Sequence, residues 1–338
     1  MAMLLSSASL GADFDLEPIV GEAAVGKAKV MLEVAATYFD QEVKNGFGAS
    51  INTAGFDFIR QPDSGIDIEN WGLTGALEAW APVNVPTIGE VFLIGRVEAA
   101  FVEDDLSSTV TLEAGEFFDT LPIDGAVSPG AITSGAGTTL NLDVDVDYRR
   151  FGGFAGVGRE IPGADVKIGL GVYAAISQLD LSSEFQDDGV PTNFIRLDET
   201  VDTFTIGPML VGEANVDINQ YLGAFVSGRA AVVYAHGDLD ADQEASNLAV
   251  DISVDDTDSG AAVILGIKTG LTVSPTEQLS LSLFGGLDWR NDVYEIVNPR
   301  SGPGLTANDA ASYAPEAAHI DQIGQFAASV GVRAELRF

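Results

Sequence analysis

Apolar residues recur at every second position along ten stretches of this chain, and helical spacing is hard to find. Lys27–Phe39 places Ala28, Val30, Leu32, Val34, Ala36 and Tyr38 on one face. The same alternation marks Trp71–Ala81, Val91–Phe101, Asn141–Val157, Val166–Ile176, Thr203–Ile218, Leu222–Tyr234, Ala261–Val273, Leu279–Trp289 and Phe326–Phe338. Each is the length of a strand, and Gly, Pro, Asn and Asp punctuate the intervals. In Asn141–Val157 the apolar phase changes near Arg149–Arg150, which predicts a β-bulge there.

The connections alternate in length. Short ones lie near Pro82–Glu90, Gly158–Asp165, Asp217–Tyr221 and Ser274–Gln278, and long ones near Gln41–Asn70, Glu103–Leu140, Asp180–Asp202, Gly237–Gly260 and Arg290–Gln325. A chain that shuttles between tight turns and long polar segments is crossing between two environments, as a transmembrane barrel does. The fold class predicted is therefore all-β. It is a single antiparallel up-and-down transmembrane barrel of about ten strands (eight to twelve), with short periplasmic turns and long acidic extracellular loops.

Composition sharpens this. The chain is 46% hydrophobic yet carries a formal net charge of -35, so apolar and acidic residues must be segregated. The long connections absorb much of the acid, as in Asp238, Asp240, Asp242, Glu244, Asp251, Asp255, Asp256 and Asp258. Basic residues instead take the strand face opposite the apolar stripe. Lys27, Lys29, Arg96, Lys167, Arg229, Lys268, Arg290, Arg333 and Arg337, nine of the sixteen, fall there with Glu33, Glu78, Glu98, Glu213, Asp288 and Glu335. Hydrocarbon would penalise these charges, so the reading places them in the lumen of a closed barrel, where they can pair. Tyr38, Trp71, Phe101, Tyr234 and Trp289 end the outward stripes on the long-loop side, where an aromatic girdle belongs.

So few Lys and Arg exclude a nucleic-acid surface. Cysteine is absent, which removes disulfides, thiolate metal sites and cysteine nucleophiles. Residues 1–12 look like the tail of a secretory signal without its basic start, residues 13–26 read as a periplasmic N-terminal segment, and 27–338 as the barrel. The only histidines, His236 and His319, match no hydrolase spacing, so no enzymatic activity and no catalytic residue is expected. Asp238, Asp240 and Asp242 reproduce the opening of a calcium loop. Gln243 and Ala249 then stand where its glycine and glutamate should be, leaving only loosely held calcium and no cofactor.

The final strand, with Val330, Val332, Ala334, Leu336 and terminal Phe338 alternating, resembles the C-terminal signature of Gram-negative outer-membrane β-barrel proteins, porin-like pore formers among them. The resemblance implies that these residues are an insertion signal read by the outer-membrane insertion machinery. It also implies that the protein's surroundings are outer-membrane lipid and lipopolysaccharide. Two functions follow from a narrow polar lumen. The first is a passive channel for small solutes or ions. The second is a structural or surface-interaction barrel with an ion-pair-occluded lumen and acidic loops that attract divalent cations.

Overall fold

The computed structural model describes residues 28–43, 49–53, 58–60, 66–87, 89–126, 131–161, 165–219, 221–299 and 316–338. The two N-terminal segments (1–12 and 13–26) and Lys27 lie outside them. In chain order the strands are β1 (Lys29–Val43), β2 (Ala49–Thr53), β3 (Phe58–Arg60), β4 (Ile66–Val85), β5 (Gly89–Thr111), β6 (Glu116–Thr120) and β7 (Ala131–Ser134). They continue with β8 (Thr139–Glu160), β9 (Val166–Asp187), β10 (Phe194–Asp217), β11 (Leu222–Ala245), β12 (Ile252–Val273), β13 (Leu279–Val297) and β14 (His319–Arg337). Ten of these close an antiparallel barrel in the order β1-β14-β13-β12-β11-β10-β9-β8-β5-β4, with β4 returning to β1. Each of the ten alternating stretches is one of its strands. β1 meets β14 from Lys29↔Arg337 to Asp40↔Phe326, so the first and last barrel strands seal the wall.

The strands are longer than a membrane needs. About nine to eleven tilted residues span the hydrocarbon, while β10 and β11 each run 24 residues. The segments read as loops at Asp180–Asp202 and Gly237–Gly260 are mostly continued strand, with β9 reaching Asp187 and β11 reaching Ala245. Their acids therefore stand on a regular lattice. Asp105, Asp145, Ser182, Asp198, Asp242 and Ser253 occupy one cross-strand row, and Glu103, Asp147, Asp180, Thr200, Asp240 and Asp255 the row beside it.

The two faces of the wall exchange chemistry part-way up. On β11 the outward positions run Val226, Ala230, Val232, Tyr234 and then His236, Asp238, Asp240, Asp242, Glu244. The inward positions run Ser227, Arg229 and then Ala231, Val233, Ala235, Leu239, Ala241. Below the girdle the wall is apolar outside and charged inside; above it, acidic outside and apolar inside. This exchange also accounts for Arg149–Arg150, where the expected bulge is not found: β8 pairs continuously with both β5 and β9 through that point. The apolar phase changes because the outside changes from lipid to water, while the register stays fixed.

Above the girdle the interior is a packed apolar core. Leu140, Leu142, Val144, Val146, Leu181, Phe185, Ile195, Leu197 and Leu239 from the wall join Ile51, Leu112, Phe118 and Ile123 of the inner segments. A small sheet in the order β3-β2-β6-β7, unseen in the sequence, packs into this core, and all five residues of β6 are buried. It is tied to the rim by Thr133 Oγ1 donating to Asp187 Oδ2 (2.8 Å) and by Gln243 Nε2 donating to the Leu121 carbonyl (3.0 Å). Gly135 and Gly137, with φ of +126° and +87°, turn the chain from β7 into β8. They belong to a Gly-rich piece with no phosphate-binding pattern.

The register breaks instead on β13, between Arg290 and Val293. Past the break Asp292–Ile296 are buried at consecutive positions, and pairing with β12 ends at Ile264↔Arg290. β13 thus leaves the wall and runs into the interior. Gly237 of β11 makes room for it: a Cβ there would lie 2.8 Å from the Tyr294 ring and 2.9 Å from Ile320 Cδ1. Gly237→Val is expected to cost about 1–3 kcal/mol by overpacking. The check is a lower temperature for the mobility shift between unboiled and boiled samples in SDS gels.

Candidate functional site: the charged lumen

Inside the membrane section the inward positions carry a layered ion network. Near the short-turn end, Lys29 Nζ donates to Glu213 Oε1 at 2.5 Å and Arg333 Nη2 donates to Glu213 Oε2 at 2.6 Å and Glu335 Oε2 at 3.2 Å. β1 and β10 are five places apart in the ten-strand ring, so the Lys29–Glu213 bond joins opposite walls. In the middle, Arg96 donates to Glu33, Glu78 and Glu98 at 3.2, 2.8 and 3.2 Å. Lys268 Nζ reaches the same Glu33 oxygen at 2.6 Å. Arg229 donates to Glu98 and Asp288, both at 2.8 Å. Aromatic faces carry some of the cations as well: Lys29 lies 5.2 Å from the Trp80 ring, Lys268 5.2 Å from Phe284, and Arg333 4.7 Å from Phe225.

At girdle level the network has a third layer. Arg150 Nη2 donates to Asp292 Oδ2 at 2.8 Å and to the Tyr173 hydroxyl at 3.2 Å. Tyr173 in turn donates to Glu98 Oε1 at 3.0 Å, and Thr205 Oγ1 donates to Asp292 Oδ2 at 3.1 Å. β8 and β13 are also opposite each other, so this pair is a second bridge across the lumen. Between the layers, among the described residues, lie two cavities of about 70 and 90 Å³, each lined by Glu33, Arg96, Glu98, Arg229 and Lys268. Each has room for a few waters.

Of the residues assigned to the lumen from the sequence, Lys27 lies outside the described residues and the others lie on the inward face. Lys29, Glu33, Glu78, Arg96, Glu98, Lys167, Glu213, Arg229, Lys268, Asp288, Arg290, Arg333 and Glu335 are buried or half-buried there. Arg337 sits at the mouth and donates to Glu335 at 2.7 Å. The sequence reading missed Arg150, Asp292 and Tyr173. Extending the inward phase Phe154, Gly152, Arg150 from the membrane section would have found the first, but Asp292 lies beyond the break in β13.

Outside, Tyr38, Trp71, Phe101, Tyr234 and Trp289 ring the wall at the top of the apolar band, with the Tyr38 and Trp71 rings 5.8 Å apart. Phe151, 5.4 Å from Phe101, and Phe204, in register with His236, extend this girdle. Val330, Val332, Ala334 and Leu336 face outward on β14, and Phe338, just past its end, is exposed.

Above the girdle stands the acidic collar. Asp145 lies opposite Asp105, and loss of hydration together with this like charge raises its carboxyl above the ordinary range. Asp238, Asp240 and Asp242 take successive outward positions on β11, spanning about 13 Å, too far for all three to ligate one ion. Among the described residues no group of three or more His, Asp or Glu side chains is placed to hold a metal ion. His236 is within β11. It stands outward, with Nε2 3.4 Å from Asp238 Oδ1.

No protein-family model matches the sequence, and no curated protein matches it. Among solved structures, the outer-membrane protease OmpT of Escherichia coli aligns over 94% of this chain and 99% of its own, with 6% identity and a TM-score of 0.35. The Pseudomonas putida toluene transporter TodX aligns over 92% and 90%, with 9% identity and a TM-score of 0.31. A FadL homologue of Pseudomonas aeruginosa aligns over 91% and 90%, with 8% identity and a TM-score of 0.23. The chain's own surface settles its setting. Leu170, Leu210, Val232, Ile267 and Leu283 are exposed on a band bounded by aromatic rings, while the charges of the same strands are turned inward. Such a wall is stable only where lipid surrounds it, and the chain is an integral membrane protein of the transmembrane β-barrel fold.

Proposed function

We propose that this protein is a closed barrel that presents an acidic collar at the cell surface, with its lumen serving as a structural strut. The observation that carries this reading is the pair of bridges between opposite walls, Lys29–Glu213 and Arg150–Asp292, at two depths. Above them the inward stretch of β13 and the small sheet fill the interior with apolar side chains. A passive channel, the other reading of a polar lumen, would need both bridges and that core to part together. Breaking a buried ion pair alone costs about 3–5 kcal/mol.

The collar stands directly above the girdle, at the depth of the lipopolysaccharide headgroups. Its cross-strand carboxylate rows concentrate divalent cations there as a diffuse layer, which lets an anionic protein surface lie beside anionic lipid. The outward row ending in Phe338 fits the insertion signal. We read the protein as non-catalytic, since both histidines lie at a solvated edge: His236 beside Asp238, and His319 with Nδ1 at the Ala317 carbonyl, 2.9 Å away.

Planar-bilayer recording tests the closed reading. Purified protein is expected to give no stepwise conductance at high loading. Discrete, reproducible steps that vanish without the protein would return it to the channel class.

A further inference from the structure

The strand ladder closes on itself only as high as the girdle. Past Leu73↔Phe101 β4 leaves β5 and stays with β1 as far as Val43↔Ile66, and past Ile264↔Arg290 β13 leaves β12. Among the described residues the upper wall is therefore an open sheet, β5-β8-β9-β10-β11-β12, with two edges. A free edge presents unpaired N–H and C=O groups, and proteins blunt such edges with charges, proline, bulges or a covering segment. The β12 edge is blunted in two of these ways. It carries Asp255, Asp256 and Asp258. β14 also leans on it, with the Ile320 N–H donating to Asp256 Oδ2 at 2.9 Å and Gln322 Nε2 to the Ala261 carbonyl at 3.3 Å.

The β5 edge has neither. Residues 106–110 read LSSTV, without charge or proline, and pair with β8 without a break. Residues 105–109 are exposed at five consecutive positions, so both faces of the strand are open there. Leu106 takes an inward position yet is 42% exposed, an apolar side chain that the core does not cover. On the outer face Asp105 stands opposite Asp145, like charges side by side. Among the described residues, the cations of that face at or above the girdle are Arg149 and Arg196, and these are paired with Asp147 and with Glu184 and Glu244.

We propose that the β5 edge, over residues 105–110, accepts an extended segment of another polypeptide as an added strand, one that alternates basic and apolar residues. Main-chain hydrogen bonds to the edge supply the affinity and the alternation supplies the fit. Basic side chains lie outside beside Asp105 and Asp145, and apolar ones inside beside Leu106 and Val110. A second copy of this chain does not fit. β5 runs away from the membrane, so antiparallel pairing of two β5 edges would invert one copy in the bilayer. The site goes beyond the diffuse cation layer of the collar and is independent of whether the lumen is closed.

The probe is a fluorescent ten-residue peptide alternating Lys and Val, compared with the same peptide N-methylated at every residue, which keeps every charge but has no main-chain donor. Binding to the full-length protein in detergent is read by anisotropy, and hydrogen exchange maps the site. The unmodified peptide is expected to bind at least about tenfold more tightly than the methylated one, and to slow exchange over residues 105–110 but not along the β12 edge. Leu106→Lys is expected to weaken binding by about tenfold while leaving the mobility-shift midpoint unchanged. Equal affinity for the two peptides would mean that the collar merely attracts polycations, and would overturn the proposal. So would slow exchange at every amide of residues 105–110 in the peptide-free protein, which would mean that the chain itself covers the edge. Protection that appears without peptide as protein concentration rises would assign the edge to a second copy instead.

Discussion

Glu213→Gln is expected to destabilise the barrel by about 3–5 kcal/mol, the cost of leaving a buried charge uncompensated. Glu213 is the acceptor shared by Lys29 and Arg333, and all three side chains are nearly inaccessible. The amide has the same shape, so packing is preserved and the loss isolates the charge. Without it, two cations keep only Glu335, at 3.5 and 3.2 Å. For a protein of this size the mobility-shift midpoint should fall by roughly 10 °C. Adding Lys29→Met to the same chain should restore a large part of the loss, because removing both partners removes the stranded charge. A single variant as stable as the parent would mean that the lumen is hydrated enough to screen these charges, and the closed reading would lose its main support.

The exchange of faces along the wall makes the second prediction, read on three positions of β10. Leu210 faces outward within the apolar band, Asp202 faces outward above it, and Leu197 faces inward above it. Leu210→Arg places a cation against hydrocarbon and should cost about 2–4 kcal/mol. Asp202→Arg, on the same face eight residues away, should change stability by no more than about 0.5 kcal/mol, since water surrounds it. Leu197→Arg buries an unpaired charge in the apolar core and should be the most damaging, at several kcal/mol. Unfolding in urea from detergent or lipid, followed by the mobility shift, gives the order. If Asp202→Arg were as harmful as Leu210→Arg, the membrane boundary would have to lie higher than the girdle.

Much of the barrel is legible in the sequence. The ten strands were read from period-two alternation because lipid imposes a sharp rule: outward side chains must be apolar, and charges must turn inward. The lumen charges followed from that same rule. Above the membrane it no longer applies, so the upper strands read as acidic loops and the exchange at Arg149–Arg150 read as a bulge. The small sheet stayed hidden because its strands run only three to five residues, too short for periodicity to register. The break in β13 was equally silent, since Arg290–Ile296 carries no glycine or proline to mark it.

By itself, then, the sequence determined where this protein resides and which face of each strand meets lipid, because transfer of side chains between water and hydrocarbon acts one residue at a time. Only the tertiary structure decided whether the lumen is bridged. That depends on which of the inward charges meet across the barrel, as Lys29 meets Glu213 and Arg150 meets Asp292, residues 184 and 142 positions apart. Such pairings are fixed by strand number, register and the inward turn of β13, and no local pattern carries them.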